Sequence, residues 1–233
     1  TDECGATGET VVTFTATDDC GNASSTTAVF TVEDTTVPSI DVQASDLNLE
    51  CDDANQQAVI DAWLANNGGA NSTDICNSAQ IVWTNDYAPG AENSDCGASG
   101  STTVIFTATD ECGLTATTSA IITISDTTPP TIDVVSIDET VECDGSGNTS
   151  DLQTWLDANG GASATDECSS VVWTNDYITL SDDCGLSGSA VVTFTATDDC
   201  GNASTTSATF TIEDTTVPSI DIEASDLLLE CDN

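Results

Sequence analysis

The sequence predicts a mainly β chain built from tandem copies of one small domain, and three observations carry that prediction. Thr, Ser, Val and Ile, which favour strands, outnumber the long helix formers. The phrase at 34–40, Asp-Thr-Thr-Val-Pro-Ser-Ile, returns in closely similar form at 126–132 and 214–220, at intervals of 92 and 88 residues. An alternation of apolar and polar residues, typical of a half-buried strand, precedes each acidic-Cys-Gly turn.

These repeats divide the chain into four segments. The predicted segments are the C-terminal part of one domain at 1–36, complete domains at 37–128 and 129–216, and the first strands of a further domain at 217–233. The sequence also repeats with a longer period of 180 residues, because residues 11–52 match 191–232 at 35 of 42 positions. Duplication of a two-domain cassette explains this match, and we expect the chain to be a piece of a longer array.

Several strands are predicted within one domain. Val104, Phe106 and Ala108 alternate with polar neighbours and should face a core. After the following turn, a second alternating strand places its apolar residues inward at Ala120, Ile122 and Ile124. Further strands are predicted at 40–42, 47–51 and 79–87. Two tryptophans on the last of these strands and its repeat, Trp83 and Trp173, are expected in the core.

One segment breaks the strand pattern. Leu152, Trp155 and Leu156 follow one another at helical spacing, so they predict a short helix that packs its tryptophan on the sheet. Gly160 is expected to end this helix, as Gly68 does in the preceding repeat. Capping boxes are expected at the start of each helix, at 53–56 and 150–153.

The charge of the chain restricts its partners. There is no Lys, Arg or His against 41 Asp and Glu, which gives a formal charge of −41. Internal salt bridges are therefore impossible, and self-repulsion opposes compaction unless solution ions or bound metal offset it. Calcium is the expected ion because hard cations take oxygen ligands. Nucleic acid is excluded as a partner because phosphate binding depends on Lys and Arg.

The eleven cysteines are isolated in turn-like sequence and form no CxxC pair, which favours disulfides and an extracellular setting over zinc. Spacings of 25 and 16 residues recur between them, whereas the interval between those pairs varies. We therefore predict that within each repeat the first cysteine bonds to the second and the third to the fourth, although three connectivities are open. The cysteines assigned to disulfides are Cys4, Cys20, Cys51, Cys76, Cys96, Cys112, Cys143, Cys168, Cys184 and Cys200.

Taken together, three motifs resemble hyalin-type (HYR) repeats and related bacterial immunoglobulin-like repeats. They are the Asp-Thr-Thr-x-Pro-x-Ile opening, the Trp-Thr-Asn-Asp-Tyr strand at 83–87, and Phe-Thr-Ala-Thr-Asp-x-Cys-Gly-Asn at 14–22. The resemblance implies tandem immunoglobulin-like β-sandwich domains, which here would each carry a short helical insertion and two disulfides. Similar acidic, Thr-rich arrays occur in giant surface adhesins secreted by gliding bacteria, so an adhesive or filament-forming role is implied. The regular cysteines and the helix depart from the family pattern.

In an immunoglobulin-like sandwich, the linker that leaves one domain arrives near two loops of the next. This geometry predicts a calcium site at each junction, where carboxylates would otherwise repel. The predicted ligands are Asp34, Asp74, Asp110 and Glu111 at the first junction, and Asp126, Asp166, Asp198 and Asp199 at the second. Asp86 and Asp176 are weaker candidates. Any of these residues could instead make a hydrogen-bonded turn without metal, and that alternative stays open.

The resulting expectation is a structural repeat region of an extracellular, calcium-stiffened adhesin stalk or surface filament. Its partners would be neighbouring repeats of the same chain or a polymer of like chains. The alternative is an adhesion module that binds glycans or ice, for which Thr13, Thr15 and Thr17 offer a row of hydroxyls. Enzyme activity is not expected, because there is no His base, nucleophile elbow or phosphate loop, and every notable acid recurs between repeats. No apolar run is long enough to span a membrane.

Overall fold

The computed structural model of the chain describes residues 4–76, 80–90, 93–181, 183 and 185–227. The fold is all-β with sandwich-like sheets and one short α-helix in each complete repeat, which confirms the predicted fold class. The chain forms two compact units. The first is Thr1–Thr128 with Glu167–Ser170, and the second is Pro129–Asp166 with Val171–Asn233.

The first unit begins with an antiparallel hairpin of β1 (Gly8–Thr17) and β2 (Ala23–Val32). The elements that follow are β3 (Ser39–Val42), β4 (Leu47–Glu50), α1 (Gln56–Ala65), β5 (Asn71–Thr73), β6 (Val82–Asn85), β7 (Asn93–Ser94), β8 (Gly100–Thr109) and β9 (Thr115–Ser125). The main sheet has the order β4-β9-β8-β6, with β4 parallel to β9, and β7 pairs with β8. A small antiparallel sheet joins β3 and β5.

The second unit repeats this plan. Its elements are β10 (Thr131–Val134), β11 (Glu139–Glu142), α2 (Thr149–Asp157), β12 (Ser163–Thr165), β13 (Val171–Asn175), β14 (Gly188–Asp198) and β15 (Ala203–Glu213). The main sheet has the order β11-β15-β14-β13, and β10 pairs with β12. Strand β11 again runs parallel to its neighbour β15.

The cores form where the helix packs on the main sheet. Phe106 and Phe194 are fully buried, and the ring centroids of Trp63 and Trp155 lie 5.1 Å and 5.2 Å from them in edge-on contacts. The indole of Trp155 also donates a hydrogen bond of 3.1 Å to the carbonyl of Ile137. The predicted packing of the helix tryptophans is confirmed. Each buried side chain of this size contributes about 1.5–3 kcal/mol.

Helix α2 ends at Asp157, three residues before the predicted Gly160, which lies in a 3₁₀ turn at Asn159–Gly161. Gly160 has φ of 62°, and a Cβ placed there would lie 3.0 Å from the Phe194 ring, so both conformation and space require glycine. The predicted capping boxes are wrong. Helix α2 begins at Thr149, so Ser150 lies inside it, and no side-chain capping bond occurs at either helix in the described structure. The start of α2 follows from a preceding turn, in which the backbone N–H of Asn148 donates to Asp144.

The predicted cysteine pairing is also wrong. The bonds that the structure shows join Cys4 to Cys112 and Cys51 to Cys168, at sequence separations of 108 and 117 residues. Cys96 and Cys200 are disulfide-bonded as well, and Cys184 lies outside the described residues. Among the described cysteines, three are thiols, namely Cys20, Cys76 and Cys143.

The physical reason for this error is strand length. Strand β1 lies between Cys4 and Cys20, and its ten residues span about 30 Å, far beyond the ~7 Å that a disulfide allows between Cα atoms. Strand β8 separates Cys96 from Cys112 in the same way. The constant spacing of 16 residues therefore reflects a strand and its turn, and it is no sign of a closed loop.

Candidate metal site

Three acidic residues of the first unit lie near Cys76 at the ends of strands, and their charges all act on its thiol. Asp34 follows β2, Asp74 follows β5, and Asp110 follows β8 directly. The ligand atoms of Asp34, Asp74 and Cys76 all lie within 4.8 Å of one another. The structure thus places the linker carboxylate beside a loop of the following repeat, as the sandwich topology led us to expect.

Each of these carboxylates gives one oxygen to a nearby backbone amide. Oδ1 of Asp34 accepts a hydrogen bond of 3.0 Å from the N–H of Thr36, and Oδ1 of Asp74 accepts one of 2.8 Å from Cys76. Oδ1 of Asp110 accepts one of 2.9 Å from Leu114. These are the turn bonds that sequence reasoning set against a metal role. The two roles are compatible, since a carboxylate has two oxygens and the turn bond only orients it.

Asp110 carries the most informative atom of the group. Its side chain is only 7% exposed, and its Oδ2 accepts no hydrogen bond from any residue that the structure describes. The sequence contains no basic side chain that could approach it. Burying a carboxylate without a counter-charge is unfavourable by several kcal/mol, so this oxygen suits a cation from solution.

The neighbouring repeats show why this oxygen stays open. At the equivalent turns, Oδ2 of Asp18 and of Asp198 accepts a hydrogen bond of 2.8 Å from the side-chain amide of Asn22 or Asn202. Leu114 occupies this position in the repeat of Asp110, and it has no amide to offer. The open oxygen therefore follows from a single departure from the Asp-x-Cys-Gly-Asn pattern, namely Leu114 in place of Asn. Sequence reasoning overlooked this signal.

The pKa of Cys76 is affected by the negative charges of the neighbouring carboxylates. Burial raises the pKa of its thiol, and a hydrogen bond to Asp34 and the charges of Asp34, Asp74 and Asp110 raise it further. Cys76 is thus held as a neutral thiol, since a thiolate would add a fourth negative charge. Carboxylate oxygens beside a thiol that stays protonated fit a hard cation such as Ca²⁺ better than Zn²⁺, which binds cysteine as the thiolate.

The other predicted ligands are distributed over both units. Asp126 is buried in the first unit, where its carboxylate lies within 4.8 Å of the sulfurs of Cys51 and Cys168. Asp166 and Asp198 belong to the second unit, and Glu111 and Asp199 are exposed. The metal role of this second set stays a prediction.

Asp198 is held charged by its own turn. Burial by itself would raise its pKa, but hydrogen bonds from the side chain and backbone of Asn202 and from the backbone of Gly201 and Cys200 outweigh burial. The net effect is a pKa below the ordinary aspartate value. The weaker candidates have structural roles, because Asp86 and Asp176 accept bonds of 2.8 Å and 2.7 Å from the N–H groups of Ile105 and Thr193.

Sequence reasoning missed a second group of carboxylates, which anchor the linkers. Glu142 accepts hydrogen bonds of 2.8–2.9 Å from Thr215 and one of 2.8 Å from the hydroxyl of Thr216, and these bonds hold the pKa of Glu142 below its ordinary value. Glu50 binds Thr127 in the same way at 3.1 Å. The recurring Glu-Cys-Asp phrase, which begins at the last residue of β4 and of β11, is the signal that could have found them.

Comparison with known proteins gives structural neighbours only. No family model matches the chain, and no curated protein matches it. Similar solved structures include the extracellular cadherin domains 1–5 of protocadherin gamma B2 (12% identity, TM-score 0.28) and domains EC1–3 of mouse clustered protocadherin gamma C3 (13%, 0.33). Drosophila N-cadherin EC1–4 is similar at 11% identity and a TM-score of 0.35.

The matches cover 90%, 92% and 89% of this chain and 46%, 79% and 58% of those chains, respectively. With TM-scores below 0.5, none of these likenesses carries an inference about the chain. Among the described residues, no helix is both long and apolar enough to cross a membrane.

Proposed function

We propose that the chain is a structural repeat segment of an extracellular stalk or surface filament, stiffened by calcium at the linker between repeats. The observation that carries the proposal is the buried Oδ2 of Asp110, in a chain without one basic residue, together with the carboxylates of Asp34 and Asp74, whose charges act on the same thiol, Cys76, as the charge of Asp110 does. A cation from solution is the only available counter-charge for this group. Disulfides between distant residues support an oxidising, extracellular setting.

The mechanism assigns a mechanical role to the linker. Asp34 lies on the linker itself, whereas Asp74 and Asp110 lie on loops at the end of the next sheet. Ca²⁺ supplies positive charge and a demand for six to eight oxygens, which carboxylates, carbonyls and water can meet. A cation held by Asp34 and these loops would remove the rotational freedom of the linker. Coordination would then replace the repulsion among the carboxylates, which favours a flexible joint.

Hydrogen bonds that need no metal also anchor the linkers, and they support the same mechanical role. Glu50 holds Thr127 of the following Asp-Thr-Thr linker, and Asp52 accepts a hydrogen bond of 3.0 Å from Thr128. Thr215 and Thr216 are held likewise by Glu142. These two linkers are thus anchored to the repeats that they leave, so calcium would only need to attach the far end of such a linker to the next repeat. A row of repeats joined in this way behaves as a rod.

Calcium titration tests the proposal. The whole chain, stripped with a chelator, is titrated with CaCl₂ in a calorimeter, and its thermal unfolding is followed in parallel. We expect binding heat and a higher melting temperature, with Asp110→Asn weakening the affinity at one site at least tenfold, about 1.4 kcal/mol. Asp19→Asn is the matched control, since it removes one charge from an exposed turn and should leave the affinity unchanged.

Two results would contradict the proposal. One is the absence of both binding heat and thermal stabilisation at millimolar Ca²⁺. The other is an equal effect of the Asp110 and Asp19 substitutions, which would mean that calcium only screens the net charge. Small-angle scattering gives an independent readout, because a stiffened chain should show a narrower range of maximum dimensions with Ca²⁺ than with chelator.

A further inference from the structure

The disulfides Cys4–Cys112 and Cys51–Cys168 follow one rule along the repeats. Cys4 is the third cysteine of its repeat and Cys112 is the fourth of the next. Cys51 is the first cysteine of its repeat, and Cys168 is the second of the next. Both bonds therefore join successive repeats of the sequence, since their separations of 108 and 117 residues exceed one repeat of 88 or 92.

The same rule accounts for the three thiols. Cys20 is a fourth cysteine and Cys76 a second one, so both would bond to a repeat before their own. Cys143 is a first cysteine and would bond to the second cysteine of the repeat after its own. None of these partner positions is present in the sequence. Where the partner is present, the equivalent positions Cys112, Cys168 and Cys51 are bonded.

The surroundings of Cys76 match those of its bonded equivalent. The sulfur of Cys76 lies within 4.8 Å of the carboxylate of Asp34, as the sulfur of Cys168 lies within 4.8 Å of Asp126. Asp34 and Asp126 occupy equivalent positions in successive linkers. Cys76 is thus already held in the setting in which Cys168 is bonded to Cys51.

We propose that Cys20, Cys76 and Cys143 are covalent linkage sites for a further copy of this repeat, which form a disulfide ladder along an array. In the ladder, the first cysteine of each repeat bonds to the second of the next, and the third bonds to the fourth. Every repeat is then tied to both neighbours by two bonds on each side. The partner at Cys76 is the first cysteine of a preceding repeat, and the partner at Cys143 is the second cysteine of a following one.

Each bond forms during oxidative refolding, before Cys76 is packed beside Asp34, by thiol–disulfide exchange with a small disulfide such as oxidised glutathione. One cysteine thiolate attacks the glutathione disulfide, forms a mixed disulfide and releases one glutathione thiolate. The second cysteine thiolate then attacks the protein sulfur of that mixed disulfide and releases the second glutathione. Two cysteines are oxidised by two electrons in total, one glutathione disulfide is reduced to two thiols, and the two cysteine protons end on those thiols.

An extended chain tests the ladder directly. Residues 1–190 are followed by residues 11–233, a junction that preserves the repeat because 11–52 already match 191–232. Cys143 of the first copy and Cys76 of the second copy then stand as first and second cysteines of successive repeats. After refolding in a glutathione redox buffer with chelator, alkylation and peptide mass mapping should show these two cysteines linked. In the 233-residue chain, both should be alkylated.

Matched variants complete the test. Cys76→Ser in the second copy should leave Cys143 of the first copy open to alkylation while the Cys4–Cys112 and Cys51–Cys168 peptides persist. Alkylation of both cysteines in an extended chain that retains those two bonds would overturn the proposal. A bond between Cys143 and Cys168 of the same repeat would overturn it as well. Because chelator is present throughout, the result is independent of the calcium proposal.

Discussion

The first hairpin, β1–β2, and the last, β14–β15, have nearly the same sequence but very different surroundings. Their registers are equivalent, with Gly8 opposite Val32 and Gly188 opposite Ile212. Their turns are equivalent too, since Asp18 and Asp198 accept the same hydrogen bonds from the residues that follow them. The backbone of this hairpin is therefore determined by its own residues.

Burial separates the two hairpins. Phe14 and Phe30 are 58% and 61% exposed, whereas their equivalents Phe194 and Phe210 are fully buried. Phe194 and Phe210 lie against Trp155 of α2, and β11 and β13 flank their sheet. In the part of the chain that is described, no helix packs on the β1–β2 hairpin in this way. The difference shows that a buried core requires the helix and the flanking strands of a whole repeat. The hairpin of the most apolar strands forms even where that core is absent.

The largest expected effect distinguishes the two hairpins directly. Phe194→Ala should lower the free energy of unfolding of the second unit by about 3–5 kcal/mol, because it removes a ring from a closed core. Phe14→Ala should change stability by less than about 0.5 kcal/mol, since the side chain is largely exposed. Guanidinium unfolding followed by tryptophan fluorescence measures both. Equal losses would mean that the first hairpin has a core of its own.

A glycine pair separates backbone strain from core contact. Gly160 and Gly201 both have positive φ, at 62° and 92°, but only at Gly160 would a Cβ meet core atoms. Gly160→Ala should therefore destabilise the second unit by about 2–3 kcal/mol, and Gly201→Ala by about 1 kcal/mol. Thermal unfolding of the two variants gives the comparison. If the two losses are the same, the close approach of Phe194 has no energetic consequence.

The turns offer a third comparison, between Leu114 and the asparagines of the other repeats. Leu114→Asn should place an amide on Oδ2 of Asp110 and reproduce the turn of Asp198 and Asn202. We expect calcium affinity at that site to fall about tenfold, or roughly 1.4 kcal/mol, because the amide competes with the ion. Calorimetric titration measures this change, with Leu114→Ile as the control. Unchanged affinity in Leu114→Asn would exclude Oδ2 as a ligand.

The strands and the helix could be predicted because their signals are local. The alternation at Val104 and Phe106 and the helical spacing at Trp155 each depend on a few adjacent residues. The convergence of Asp34 and Asp74 could also be expected, since it follows from the topology of a sandwich. These parts of the fold and of the site could be predicted without knowing the spatial distance between residues that are remote in the sequence.

The rest could not be predicted, because it depends on how far the chain travels between residues. A 16-residue interval is the same for a closed loop and for a strand of ten residues, so the spacing from Cys4 to Cys20 could not reveal the bond to Cys112. The bonds from Glu142 to Thr215 cross 73 residues and leave no periodic signal. Whether Phe14 is buried depends on another segment altogether.

The smallest expected effect concerns the turn that both hairpins share. Asn202→Ala and Asn22→Ala each remove an amide that holds the pKa of the neighbouring aspartate below its ordinary value, so the pKa of Asp198 and of Asp18 should rise. A lowered pKa stabilises the fold above the ordinary aspartate pKa, and this contribution is lost as the pH falls through the folded value. Asn202→Ala should therefore cost about 1 kcal/mol at neutral pH and progressively less in acid. Carboxyl NMR titration measures both pKa values, and a rise at Asp198 without one at Asp18 would show that the shift needs the closed core and is not a property of the turn itself.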